Sequence, residues 1–433
     1  MSKRAGLLLF ASFAAFFLTV NRDAYRGYFQ DDEIDNLSWT PYLGPLDFLK
    51  GAATPQFQPN NFRPAGHYYF HAVEEIAGLD FPVYVGVLQA FHLFNVWLLW
   101  LISRRLGATR FAAGAACLFF GLHMALFDDF WKPMYVFDVL CAAFCLLSLW
   151  CYSKERWVLS FLAFWLAYKS KELAVMLPAV LLAYELSFGK QRFGKLRWKP
   201  LVPFFLASLS FGLQGMLNNP NRDNDYTFRF TAAALAKTSA FYAGRVFLIP
   251  YLGFAVPAFA LLARNRRTWF GLAAMGLFLF PILFLPGRIF SAYCYLPFAG
   301  LAIALTGLAE ATSPAAMALF LALWLPMDVH ELRLRRRETL AAAEGVRTWM
   351  AGVRRFAAGQ KVDAFVFSGA PAGFHQWGVE GTLKYFYERS DLTVKHAGDP
   401  DTEALMRTRR VALLNWDESR KRLDIEVREP GAY

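Results

Sequence analysis

Charge is scarce in this chain: of 433 residues only 18% are Asp, Glu, Lys or Arg, against 56% that are hydrophobic. So few polar side chains cannot cover a soluble core of that size, which excludes an ordinary globular protein in water and makes lipid the solvent. Amphipathic periodicity is missing where a soluble helical protein would show it, since runs such as GAACLFFGLHMALF and VLCAAFCLLSLWCY are apolar on every helical face. Cysteine is sparse too. Cys117, Cys141, Cys145, Cys151 and Cys294 all fall inside such runs, as small packing residues and not as a disulfide framework. No internal repeat or low-complexity tract stands out.

What is present is a succession of apolar runs, roughly at 5–20, 83–103, 111–126, 134–152, 157–168, 173–188, 200–217, 239–263, 269–285, 292–308 and 313–328. They predict an all-α polytopic membrane protein with about eleven transmembrane helices, although the shorter runs leave the count open by one. The net charge of +11 does not point to nucleic acid, because the basic residues sit between the runs. Lys3 and Arg4, then RRLGATR, SKER, KQRFGKLRWK and RNRR form a short, densely basic set of connections that marks the cytoplasmic side. The long stretch 21–82, the DDFWK and YKSKE corners, the loop 218–238 and PGRIF then face outward. The first run follows SKR like a signal peptide, yet no small-x-small cleavage site precedes NRDAYRG, so it counts as the first span.

Residues 1–330 thus form a transmembrane domain, and HELRLRRRE opens a soluble tail at 331–433. In that tail VDAFVFSG, LTVKH, RVALLNW and LDIEV read as strands, with helices near 376–388 and 401–408. A small α/β domain is expected, with no phosphate loop, metal-spaced set or nucleophile constellation, and with GFHQWG as its best contact surface. Eleven crossings place the tail outside, against the sign of its basic run; ten place it in the cytoplasm.

Chemistry is expected at the outer face. In YFQDDEIDNLSW, Asp31, Asp32, Glu33 and Asp35 crowd the junction of bilayer and water, where mutual repulsion and low dielectric should raise the pKa of at least one. A solvated acidic loop is the plainer reading. Further along, Arg63 precedes a proline that can open an interfacial helix, and at that depth an arginine can grip a lipid phosphate with two hydrogen bonds. His67, His71 and Glu74 share one face of that helix, a weak candidate set for a divalent metal such as Mg or Mn. Asp128, Asp129 and Lys132, then Asp138 one turn inside the next run, and Lys169, Lys171 and Glu172 supply further ionisable groups at outer span ends. Arg288 adds a cation at the same level. Such groups are costly in hydrocarbon and mark a site or a pathway.

In order along residues 5–305, the acidic pair, the loop Arg-Pro, HLFNVWLLWLISRRLG, the FGLH corner with its carboxylate, SKELAVMLPAVLLAYEL and PGRIFSAYCYLPFAGLA resemble the GT-C glycosyltransferases. The likeness is to the branch of protein O-mannosyltransferases and the transmembrane and tetratricopeptide-repeat mannosyltransferases. The chain departs from that branch in lacking a proline after His123, the tyrosine or arginine spacing usual before CYLP, and tetratricopeptide repeats. The resemblance implies an inverting transfer of a sugar from a polyprenyl-phosphate donor to a protein, lipid or glycan acceptor, at the outer face of a bacterial inner membrane. It implies Asp32 or Asp31 as general base, with Asp128, Asp129 and Glu33 orienting the acceptor. Arg63, Lys171 and Arg288 would hold the donor phosphate; Glu172 would orient Lys171, and Asp138 and His123 would support the site. A polymerase or ligase of lipid-linked glycans, a transporter or flippase, and a membrane scaffold are the competing classes.

Overall fold

The computed structural model describes residues 3–56, 62–189, 194, 196–218 and 223–431, so parts of the KQRFGKLRWK connection and of the 218–238 loop lie outside the described residues. Among the described residues, seven helices are long and apolar enough to cross a membrane: Phe81–Arg105, Pro133–Ser153, Glu172–Gly189, Lys199–Leu217, Arg266–Phe284, Ser291–Ala311 and Pro314–Ala357. An eighth results if Arg110–Leu122 and Met124–Trp131, bent by 41° to each other, form one span. The chain is an integral, multi-pass membrane protein. The expected count of about eleven spans is not confirmed by these seven or eight; Leu8–Val20, Trp157–Tyr168 and Leu252–Ala263 are shorter apolar helices. Trp157–Tyr168, for example, has 12 residues, a rise of roughly 18 Å against a hydrocarbon core of about 30 Å.

Two of the expected runs also end elsewhere. The run 239–263 is not continuous: a helix Ala232–Val246 gives way to a 3-10 turn at Leu252–Ala255 and a short helix Ala258–Ala263. Pro250 and Pro257 lack the amide that would carry the ladder through. Leu248 and Tyr251 take left-handed backbone in the gap, and a Cβ on Gly253 would strike the backbone of Ala243. The last run, by contrast, does not stop at 328. Its helix continues over 44 residues to Ala357, because the Arg, Glu, Leu and Ala that follow are strong helix formers whatever their charge.

The helix starts are written locally. Thr109, Thr231 and Asn265 accept the orphan amides of Ala112, Ala234 and Thr268 respectively. Helices Arg266–Leu279 and Tyr295–Ala311 cross at glycine: a Cβ on Gly271 would collide with Gly300 and Ala304, and one on Gly300 would lie 2.6 Å from the amide of Met275. Such close backbone approach substitutes for the hydrophobic effect that lipid cannot supply. Several polar groups inside the spans bond to one another. The His92 ring bonds Tyr295 Oη at 2.8 Å and the Gly121 carbonyl at 3.0 Å, and Asn95 donates to Val139 O and Tyr295 Oη.

The chain divides into two compact units. The first comprises Met1–Asn21, Leu49–Gly66 and Gly86–Arg333, and the second Arg22–Phe48, His67–Val85 and Leu334–Tyr433. In the second, four strands β1 (Ala364–Phe367), β2 (Thr393–His396), β3 (Val411–Asp417) and β4 (Arg422–Arg428) form a sheet in the order β2-β1-β3-β4. Central β1 is parallel to both neighbours and buried throughout, as a strand covered on both faces must be. The edge strand β4 closes an antiparallel hairpin through a turn in which Asp417 accepts from Ser419 and Arg420 amides. The strands and helices expected in the tail fall where its alternating pattern places them.

Candidate functional site

The acidic stretch of the second unit is a short helix, Asp31–Leu37. Gln30 and Glu33 close a capping box at its start, and the buried Glu33 carboxylate accepts from the Gln30 amide at 2.8 Å. Three acids in its first turn also complement the helix dipole. The expected solvated loop is therefore an ordered helix with Asp31 and Glu33 buried.

Against it lies the tail helix Gln376–Tyr387. The approach is close because two glycines face it: a Cβ on Gly381 would sit 2.9 Å from the Asp35 backbone, and one on Gly378 would meet the Asp31 carboxylate. At its N-terminus each of the first two acids gains a partner. Asp31 accepts from the His375 amide at 2.7 Å and from the His375 ring Nδ1 at 2.5 Å. Asp32 accepts from the indole Nε1 of Trp377 at 2.9 Å. The His375 and Trp377 rings stack nearly coplanar, 4.7 Å between centroids. GFHQWG, expected to be an exposed contact surface, keeps His375, Gln376 and Trp377 exposed while making these contacts to the acidic helix, with Phe374 buried against Trp349.

These contacts set the titration of the helix. Burial pushes the Asp31 carboxyl up, and the bonds from His375 pull it partly back. Asp35 is pushed up to about 6 by burial first and then by the neighbouring charge of Asp32, with Lys384 opposing and Glu380 adding to the rise.

The first unit holds a different cluster. Arg63 grips Glu172 with two bonds, Nε to Oε1 at 2.9 Å and Nη2 to Oε2 at 3.2 Å, and its guanidinium lies 5.5 Å from the Phe137 ring. Lys171 places its ammonium between the two oxygens of Asp138, at 2.6 and 2.5 Å, and over the Tyr293 ring. The expected partnership of Glu172 with Lys171 is replaced by this exchange: the bidentate fork of arginine suits the outer carboxylate, and the ammonium fits the buried one. Lys132 pairs with Asp128 at 2.9 Å. Asp129 is fully buried, and among the described residues neither of its carboxyl oxygens has a hydrogen-bond partner. Arg288 lies between the rings of Tyr226 and Phe290, at 4.5 and 4.7 Å.

His123 ends the helix Arg110–Leu122 and ties the bend that follows, accepting from the Ala125 amide and contacting the Val246 carbonyl at 3.0 Å. Lys169 is buried with its ammonium on the Thr54 carbonyl at 2.6 Å. His67, His71 and Glu74 share the expected helix, Pro64–Ala77, but are committed elsewhere. The His67 ring packs on Trp39, His71 Nδ1 lies 3.1 Å from the Thr40 carbonyl, and Glu74 accepts from Tyr385 Oη at 3.0 Å. Among the described residues no three His, Cys, Asp or Glu side chains converge as metal ligands. His67, His71 and Glu74, held apart by these contacts, do not fit a divalent cation such as Mg or Mn.

His375 and Trp377 belong to GFHQWG, which the sequence offers as a contact surface without showing that the acidic helix is what it contacts. Lys384 carries no such signal.

The whole architecture has counterparts among solved structures. Over 96% of this chain and 94% of that one, it is similar to ArnT from Cupriavidus metallidurans in the apo state, with a TM-score of 0.57 and 12% identity. The same protein bound to undecaprenyl phosphate gives a TM-score of 0.51 at 13% identity, over 96% and 94% of the two chains. The fold is the GT-C fold. Arabinofuranosyltransferase AftD from Mycobacteria also matches, at a TM-score of 0.51 and 13% identity, over 96% of this chain but only 35% of AftD. No family model matches the sequence, and no curated protein is significantly similar to it.

Proposed function

We propose that this GT-C chain is a membrane glycosyltransferase that moves a sugar of the hexose type from a polyprenyl-phosphate donor to an acceptor nucleophile. The observation that carries this reading is the fold likeness over nearly the full length to ArnT, which has been solved with undecaprenyl phosphate bound. The bilayer setting follows from the substrate: a lipid-borne phosphate presents its sugar only at the interface.

In the proposed reaction the acceptor hydroxyl attacks the anomeric carbon from the face opposite the phosphate, so the configuration inverts. The C–O bond to the phosphate breaks and its electron pair leaves on the polyprenyl phosphate, while the hydroxyl proton passes to a carboxylate. Asp31 and Asp32 are the candidates for that base, and Asp31 is the favoured one. Burial brings its pKa up toward the working range, and two donors fix its orientation. Asp32 orients the acceptor beside it, while Glu33, buried and bonded to the Gln30 amide, holds the helix that carries both; Asp128 and Asp129 are proposed for the same orienting task. Asp129 suits that task as a buried carboxyl with unfilled hydrogen-bonding capacity. Arg63, Lys171 and Arg288 are assigned to the phosphate, whose charge grows as the bond breaks, with Glu172, Asp138 and His123 holding the cations and the corner in place.

The hydrogen bonds between the acidic helix and the tail also bear on topology. Residues 31–37 and 376–387 belong on one side of the membrane, which requires an even number of crossings between them and favours eleven in all. With the basic connections inside, that side is the outer face, as in a bacterial inner membrane.

The test is transfer from a panel of undecaprenyl-phosphate hexoses and pentoses by the protein in proteoliposomes supplied with membrane extract. Labelled acceptor is the expected product. Uptake of sugar lipid without covalent transfer would favour a flippase, and wild-type rates in both Asp31→Asn and Asp32→Asn would overturn the base assignment.

A further inference from the structure

We propose that His375, from the tail, is a positioning residue for the transfer: its amide and ring Nδ1 clamp the two oxygens of Asp31 so that the carboxylate is held in one orientation and aimed. This inference rests on the glycosyltransferase reading above and assigns the tail a part in it. The geometry supports a built contact. The two bonds of 2.7 and 2.5 Å reach different oxygens of one carboxylate. With Asp31 ionised, Nδ1 has to carry the ring proton, which fixes the tautomer. The ring is itself held from behind by its stack on Trp377, whose indole N–H reaches Asp32. Glycine at 378 is what admits this approach, since a Cβ there would occupy the space of the Asp31 carboxylate.

A carboxylate that is buried beside a like charge drifts toward its neutral form, which cannot accept the acceptor's proton. The ionisable side chains acting on Asp31 are Asp32 on its own helix and His375 on the tail; farther along the tail helix, Glu380 and Lys384 act on Asp35 instead. His375 is therefore the group whose removal leaves Asp31 burial uncompensated. Asparagine at 375 would place an amide N–H near the position of Nδ1 and keep the bond without a titrating ring.

The experiment compares wild type, His375→Ala and His375→Asn in proteoliposomes with the same undecaprenyl-phosphate sugar panel. It is paired with carbodiimide and amine labelling of Asp31, read by mass spectrometry across pH. For His375→Ala we expect kcat to fall roughly 10- to 100-fold, part of what a whole general base contributes, with the donor KM unchanged. The acidic limb of the rate profile and the labelling midpoint should both move to higher pH. His375→Asn should recover most of the rate. A labelling midpoint that stays put in His375→Ala overturns the positioning role whatever the activity, as does His375→Asn falling as far as alanine. Where His375→Ala fails to fold, Trp377→Phe, which removes the stack's indole donor, should lower kcat in the same direction, and an unchanged rate there overturns the proposal. A wild type that transfers no sugar of the panel, yet shows the labelling shift, would instead overturn the glycosyltransferase reading while leaving the clamp itself observed.

Discussion

The acidic helix and the corners at 128–138 and 169–172 both gather carboxylates, yet they compensate them by different chemistry. In the corners the partners are cations: Lys132 on Asp128, Lys171 on Asp138, Arg63 on Glu172. On the acidic helix the partners of the first two acids are a peptide amide, an imidazole and an indole. A cation cancels the charge of a carboxylate and lowers its basicity, whereas a neutral donor orients it and leaves most of the charge in place. A carboxylate meant to take a proton belongs in the second setting, and one meant to hold a cation in register belongs in the first. Asp129, buried in the corner set with no hydrogen-bond partner among the described residues, belongs to neither pattern.

The sharpest way to break this contrast is to remove a carboxylate from the acidic helix. Asp31→Asn keeps size and most hydrogen bonding but cannot accept a proton, so transfer should fall about 10²- to 10⁴-fold with little change in melting temperature. Equal losses from Asp138→Asn without a fall in stability would dissolve the distinction. The corner set is expected to answer in stability. Lys171→Ala leaves Asp138, almost fully buried, without its counter-charge, at a cost of about 3–5 kcal/mol in detergent melts. Replacing both partners together, Lys171→Met with Asp138→Leu, should recover much of that loss, because the apolar pair no longer leaves a lone buried charge. Arg63→Lys should do less. One ammonium cannot reproduce the two-bond fork on Glu172, and the expected result is roughly tenfold weaker binding of undecaprenyl phosphate, about 1.5 kcal/mol.

The two regions also differ in how far the sequence announces them. Span positions follow from runs that are apolar on every face, and β1 to β4 from short runs between turn residues, because both signals are local. Helix ends are legible where a cap is written, as at Thr109 and Thr231, and illegible in the Pro314–Ala357 helix, where a basic run reads as the opening of a soluble tail although its residues favour helix. The acids themselves were visible as a crowded stretch. Their partners were not, since His375 stands 344 residues from Asp31 and nothing in either local pattern specifies the other. The same holds for Arg63 and Glu172, 109 residues apart: each is conspicuous alone as a charge beside an apolar run, but which cation takes which carboxylate depends on depth and packing that only the fold supplies.

The smallest effect tests the acidic helix itself. Asp35 has no cation bonded to it, and its carboxyl is pushed from 3.8 to about 6 by burial and by the charges of Asp32 and Glu380, against Lys384. In the unfolded chain that carboxyl gives up its proton near its ordinary value; in the folded chain it holds the proton until about pH 6. Between those values the folded state binds more protons than the unfolded one. Stability contributed by this group is therefore present at low pH, falls as pH rises through the window, and is fully lost above it. Asp35→Asn fixes the side chain in a neutral form of nearly the same size. Its melting curve should match wild type near pH 4 and lie above it at pH 7.5, with the gap opening between. Asp31, also pushed up by burial, contributes a slope of the same sign to both proteins, so the difference between them isolates Asp35. Parallel curves would mean that neither burial nor the neighbouring acids act on Asp35 as this packing requires, and that the acidic helix is solvated like an ordinary surface turn.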